Sequence, residues 1–129
     1  KDIEAPMFVI GTETDHIAPW RSVYKVQLFT DNELTFLLTN GGHNAGIVSE
    51  PGHPGRRYRM ATRKRGDRYI DSDTWLTRAT SGEGSWWPAW IAWLEAKSEA
   101  ERVVPPAIGA PPRGLMPLCA APGVYVHER

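Results

Sequence analysis

The sequence predicts an α/β fold built on a parallel βαβ unit, with a tryptophan-rich helix and a proline-rich tail after it. Three observations carry this expectation. Met7-Phe8-Val9-Ile10 and Leu34-Thr35-Phe36-Leu37-Leu38 are short, largely apolar runs, as expected of strands buried on both faces of a parallel sheet. Between them Trp20, Val23, Tyr24, Gln27 and Leu28 recur at three- and four-residue spacing, the stripe of a helix packed on one side. Both runs stop in loops rich in ionisable groups, at Thr14-Asp15-His16 and at Gly41-Gly42-His43.

The elements follow in order. Pro19 suits the first turn of the first helix, where its missing N–H costs nothing, and Asp15 or His16 lies near that amino terminus. Asp31-Asn32 ends the helix, since short polar side chains bond the nearby backbone and tolerate turns. Gly41-Gly42 either frees the chain to present His43 or serves only as a turn.

From Pro51 to Arg68 the composition shifts, and seven of the 15 basic residues fall there. Two readings stand: a solvated hairpin around Lys64-Arg65-Gly66-Asp67 that packs Tyr58, Met60, Tyr69 and Ile70, or a cradle for phosphate groups or an acidic partner. Ser72 is the expected N-cap of a short helix with Asp73 in its first turn, and Gly82-Glu83-Gly84 its end. Ser85 should cap a longer helix from Trp86 to about Glu99. Its tryptophans either fill the space between helix and sheet or form a stacking platform. Six of the 11 prolines lie between 103 and 122, which excludes a regular helix. Residues 1–102 are therefore expected to form the domain. Residues 103–129 would be an extended tail, anchored through Leu115, Met116, Leu118 and Val124-Tyr125-Val126.

Composition narrows the function classes. With 15 basic and 15 acidic residues, net charge selects neither nucleic acid nor an anionic membrane. A single cysteine excludes an internal disulfide, and no apolar run reaches the roughly 18 residues of a membrane span. A soluble, reducing compartment is expected. Lys1-Asp2-Ile3-Glu4-Ala5-Pro6 leads almost at once into a strand, as in a piece of a longer protein.

Parallel strands point their carboxyl ends the same way, so Asp15 and His43 should meet at one sheet edge, where ligands of open α/β sheets bind. An acid and then a histidine at successive strand ends is the later part of the order nucleophile, acid, base. A helix-capping aspartate and a loop histidine is the plainer alternative. No nucleophile accompanies the pair: Leu118-Cys119-Ala120-Ala121-Pro122 has no flanking glycines and no strand-to-helix elbow, so Cys119 reads as a structural thiol. His16, His43, His53 and Cys119 match no tight metal spacing, and neither metal nor resident cofactor is expected.

Asp15-His16-Ile17-Ala18-Pro19-Trp20, Gly42-His43-Asn44-Ala45-Gly46-Ile47-Val48 and Gly84-Ser85-Trp86-Trp87-Pro88-Ala89-Trp90 together resemble the carboxy-terminal part of the poly(3-hydroxyalkanoate) synthases, over most of residues 3 to 97. That resemblance implies the carboxy-terminal portion of an α/β-hydrolase fold and an acyltransferase that polymerises (R)-3-hydroxyacyl groups from coenzyme A thioesters. It implies that Asp15 and His43 are the acid and base of a Cys-Asp-His triad whose cysteine lies upstream. His16, next to the acid, and Asn44, next to the base, are the expected pocket residues. The implied partners are the acyl-coenzyme A substrate, the growing polyester and the amino-terminal part of the same enzyme. The implied location is cytoplasmic, at the storage-granule surface. Two other readings use the same residues: an esterase or depolymerase with water as acceptor, and a noncatalytic assembly module that pairs with a second copy through an open sheet edge.

Overall fold

The structure is a computed structural model that describes residues 3–99 and 101–128; of the lead-in, Lys1-Asp2 lies outside the described residues. The chain divides into two compact units, Lys1–Ser98 and Glu99–Arg129. The first contains a mixed four-stranded sheet in the order β1 (Met7–Thr12), β2 (Leu34–Thr39), β3 (Arg57–Arg63), β4 (Thr80–Glu83). β1 and β2 are parallel, with Met7 opposite Leu34 and Thr12 opposite Thr39. β3 and β4 then add on antiparallel, so the sheet is mixed where the apolar runs alone suggested a parallel one.

The two apolar runs differ in burial. Every residue of β2 is buried, whereas Met7 to Ile10 of β1 are half-buried. The expectation that both strands are covered on both faces therefore fails for β1. Its cause is position: β2 has a strand on either side, and β1 ends the order.

Alternation along β2 sends Leu34, Phe36 and Leu38 to one face, where they meet Trp20, Tyr24 and Trp75 in the buried core. Trp20 and Tyr24 come from α1 (Trp20–Tyr24), and Trp75 from α2 (Ser72–Arg78). Phe36 is fully buried, with its ring centroid 5.0 Å from those of both Tyr24 and Trp75 and edge-on to each. Such edge-to-face pairs stabilise beyond the area they bury. Tyr24 sends its hydroxyl to the Ile70 carbonyl at 3.0 Å.

The helix expected to run from Trp20 to Leu28 is shorter. After Tyr24 the chain tightens into a single 3-10 segment, Lys25–Leu28, which keeps Gln27 buried but turns Leu28 out to solvent. Arg63, at the end of β3, holds this stretch by donating to the carbonyls of Gln27 at 2.6 Å and Thr30 at 2.7 Å.

α2 is capped one residue earlier than expected, by Asp71, whose carboxylate accepts the Asp73 and Thr74 backbone N–H groups at 3.0 and 2.9 Å. The expected hairpin arm at Tyr69-Ile70 is absent. β3 instead pairs with β4 after the α2 excursion, and Gly82 permits this because a Cβ there would sit 2.5 Å from the Tyr58 ring.

α3 (Trp87–Lys97) covers the other face of the sheet, where Trp93 lies edge-on to Phe8 at 5.4 Å. No residue of α3 is buried, and Ile91 and Leu94 are exposed. The space-filling tryptophan is Trp86, just before the helix. The second unit contains two 3-10 turns, Pro111–Arg113 and Tyr125–His127, and an Ala110–Leu115 bridge; Leu115, Met116, Leu118 and Tyr125 are exposed.

Phe36→Ala should lower unfolding free energy by about 3–5 kcal/mol, the usual cost of emptying a buried aromatic site. Urea denaturation followed by tryptophan fluorescence measures it.

Candidate functional site

Parallel pairing sets the site. β1 and β2 finish level at Thr12 and Thr39, and the ladder continues one step as the Glu13 N–H donates to the Thr39 carbonyl at 2.9 Å. Three residues past Thr12 the chain turns on Asp15, whose Oδ1 accepts the backbone N–H groups of Ile17 at 2.8 Å and Ala18 at 2.9 Å. The same carboxylate thus organises the loop that leads into α1. Its other oxygen, Oδ2, lies 2.8 Å from His43 Nδ1 and 3.4 Å from the Thr12 hydroxyl, which donates to it. The Asp15 side chain is almost enclosed, at 7% exposure, while that of His43 is 46% exposed.

These partners hold the Asp15 carboxyl down to about 2. The Ala18 backbone N–H contributes most, then the hydrogen bond from His43, against the opposing effect of burial. An ionised carboxylate can only accept, so the hydrogen bond assigns the proton on a neutral His43 ring to Nδ1 and leaves Nε2 with a free lone pair. Beside the pair is a cavity of about 200 Å³ whose apolar wall comes from Ile10, Val23 and Ile47.

Behind His43 the backbone makes a compact turn in which the Gly46 N–H donates to the Gly42 carbonyl at 2.9 Å. Gly46 packs directly on Thr12: a Cβ at this position would stand 2.5 Å from Thr12 Cγ2. Thr12 and Gly46 therefore bring the acid's strand and the base's turn together. Sequence reasoning gave them no role. His16 and Asn44, the other expected pocket residues, are exposed, and neither lines the cavity.

Four of the seven basic side chains of the 51–68 stretch are engaged elsewhere. Arg57 pairs with Glu13 at 3.2 Å, Arg59 donates to the Leu76 carbonyl at 3.3 Å, Arg63 holds the end of the 3-10 segment, and Arg65 lies 3.6 Å from Glu4. His53 pairs with Glu50 at 3.1 Å. Among the described residues no three His, Cys, Asp or Glu side chains stand together as a metal site. Cys119 is an exposed free thiol in the second unit.

No family model matches the chain. Curated proteins do. It is 35% identical over 127 residues to poly(3-hydroxyalkanoate) polymerase 2 of Ectopseudomonas oleovorans, an alignment that covers 98% of this chain and 22% of that protein. It is 40% identical to the poly(3-hydroxyalkanoate) polymerase of Methylorubrum extorquens over 100% of this chain and 20% of the relative. With the polymerase subunit PhaC of Cupriavidus necator it shares 36% identity, over 98% of this chain and 20% of the relative. Over nearly its whole length the chain is similar to one part of the poly(3-hydroxyalkanoate) polymerases. It spans about a fifth of the length of these relatives. The three blocks that resemble the polymerases are adjacent in space: 15–20 and 42–48 join through Asp15 and His43, and Trp86 and Trp87 dock on the second block.

The depressed Asp15 carboxyl makes stability pH-dependent with a definite sign. Unfolded, the group titrates near 3.9; folded, near 2. Between these values the unfolded chain binds more protons, so Asp15's contribution is complete above pH ~4 and lost as pH falls toward ~2. The gap in urea midpoint between the native chain and Asp15→Asn should therefore close as pH falls from ~4 toward ~2.

Proposed function

We propose that Asp15 and His43 are the acid and base of the acyl-transfer centre of a poly(3-hydroxyalkanoate) polymerase, and that this chain is the carboxy-terminal portion of its α/β-hydrolase-like domain. One observation carries the proposal: the 2.8 Å hydrogen bond from His43 Nδ1 to an ionised, enclosed Asp15, at the carboxyl ends of adjacent parallel strands. That arrangement orients the imidazole, fixes its tautomer and stabilises the charged ring formed when Nε2 takes a proton.

The nucleophile in this proposal is a cysteine thiol on the longer protein, approaching His43 Nε2 from the open side. His43 takes the thiol proton, and the sulfur attacks the thioester carbonyl of a 3-hydroxyacyl-coenzyme A. The carbon–sulfur bond to coenzyme A breaks, and the leaving thiolate receives the proton from His43. In the next half-reaction His43 removes the proton of a 3-hydroxyl group, whose oxygen attacks the enzyme-bound thioester; the carbon–sulfur bond to the enzyme cysteine breaks, its thiolate receives the proton from His43, and the polyester is one unit longer. The apolar wall of Ile10, Val23 and Ile47 suits a hydrocarbon acyl chain. The relatives are named polymerases, which favours chain growth over transfer to water.

The remaining strands of the sheet would pair along the outer edge of β1, which carries no strand among the described residues. A cytoplasmic granule-surface location and a homodimer belong to the same proposal. No described helix is long and apolar enough to cross a membrane.

In a full-length polymerase that carries this segment, His43→Ala should lower coenzyme A release from 3-hydroxybutyryl-coenzyme A by about 10²–10⁴-fold, the range for loss of a general base. Near-normal turnover in a folded variant would remove His43 from the mechanism. The 129-residue chain alone should release no coenzyme A, since no thiol lines its cavity.

A further inference from the structure

The start of α3 reaches the turn behind His43 with three consecutive donors. The Trp86 indole N–H donates to the Gly46 carbonyl and the Trp87 indole N–H to the Ile47 carbonyl, each at 3.0 Å. The Ser85 hydroxyl donates to the carbonyl of Ser49, a fully buried residue. Ser85 Oγ also accepts the Trp87 backbone N–H at 3.1 Å, which ties the donors to the first turn of the helix.

The turn's own hydrogen bonds use its N–H groups: Gly46 donates to Gly42, and Ile47 and Val48 donate to the Asn44 carbonyl. The carbonyls of the buried Gly46 and Ser49 then need donors from elsewhere, because a buried carbonyl without one is costly, while that of the exposed Ile47 gains a protein donor in place of water. Two tryptophans and a serine supply them. Indole bonding is not automatic in this protein, as the buried indole nitrogens of Trp75 and Trp93 have no partner among the described residues. A phenylalanine could fill the space of Trp86 but could not hold a carbonyl.

We infer that Trp86 and Trp87 are positioning residues for His43, holding the 42–48 turn so that the imidazole stays on Asp15 with Nδ1 protonated and Nε2 free. This rests on the reading of His43 as the base. Without the latch the turn would keep its internal hydrogen bonds, but its carbonyls would exchange with water and the half-exposed ring would sample other orientations. The indole N–H groups bond to the backbone of Gly46 and Ile47, and it is through that backbone that they act.

The test is a ring-nitrogen spectrum of His43 in the ¹⁵N-labelled 129-residue chain. The native chain should show the Nδ1-protonated tautomer, with its proton protected from solvent. Trp87→Phe, at a half-exposed position, and Trp86→Phe should each speed exchange of that proton about five-fold, as loss of one hydrogen bond implies. Each should also move the ring nitrogens toward a tautomer mixture while the β2 amide signals stay in place. Trp93→Phe removes an unpartnered indole N–H and should leave His43 unchanged. A native His43 signature in folded Trp86→Phe and Trp87→Phe overturns the positioning role. If the native chain itself lacks an Asp15-bound Nδ1 proton, the acid–base reading fails and the inference falls with it. Should Trp86→Phe not fold, Trp87→Phe decides alone.

Discussion

The in-register parallel pairing of β1 and β2 is the constraint on which the rest depends. Two strands that finish level deliver two loops to the same place, and the residues that follow Thr12 and Thr39 are then neighbours whatever their distance in sequence. Twenty-eight positions separate Asp15 from His43, yet their side chains lie 2.8 Å apart. A one-residue slip of either strand would break the arrangement, because it sends every side chain of that strand to the opposite face and shifts the loop that follows.

Asp15 shows how few groups can do several things. One oxygen accepts two backbone N–H groups and shapes the loop into α1, and the other engages His43. The loop hydrogen bonds make the carboxylate a stronger acid, which secures the negative charge opposite the imidazole. The plainer sequence reading of Asp15 as a helix cap is not met, since the N-cap of α1 is Pro19; one oxygen instead shapes the loop before the helix while the other partners His43.

The meeting of Asp15 and His43 was legible because it follows from strand polarity alone, and so was a strand over 34–39, whose run of Leu and Phe is hard to place anywhere but a core. Burial of β1 was not legible: Met7-Phe8-Val9-Ile10 reads the same at an edge as in the centre, and only the strand order separates them. β4 escaped because Thr80-Ser81-Gly82-Glu83 has no apolar alternation; its glycine serves the Tyr58 ring. Asp71 and Ser72 are both good caps, and adjacent residues of equal propensity cannot be told apart before the backbone is seen. The roles of Thr12 and Gly46 lie in a contact between a strand end and a distant turn, which no local pattern encodes.

The uneven burial of the two strands means that the pair is mounted on supports of unequal firmness. His43 follows β2, which is flanked on both sides and entirely buried, the kind of segment that opens only when the whole molecule does. Asp15 follows β1, half-covered at the end of the sheet. Fluctuations that part the acid from the base should therefore begin on the acid's side. Whatever packs along the outer edge of β1 would then govern how long each pairing lasts, without touching either residue.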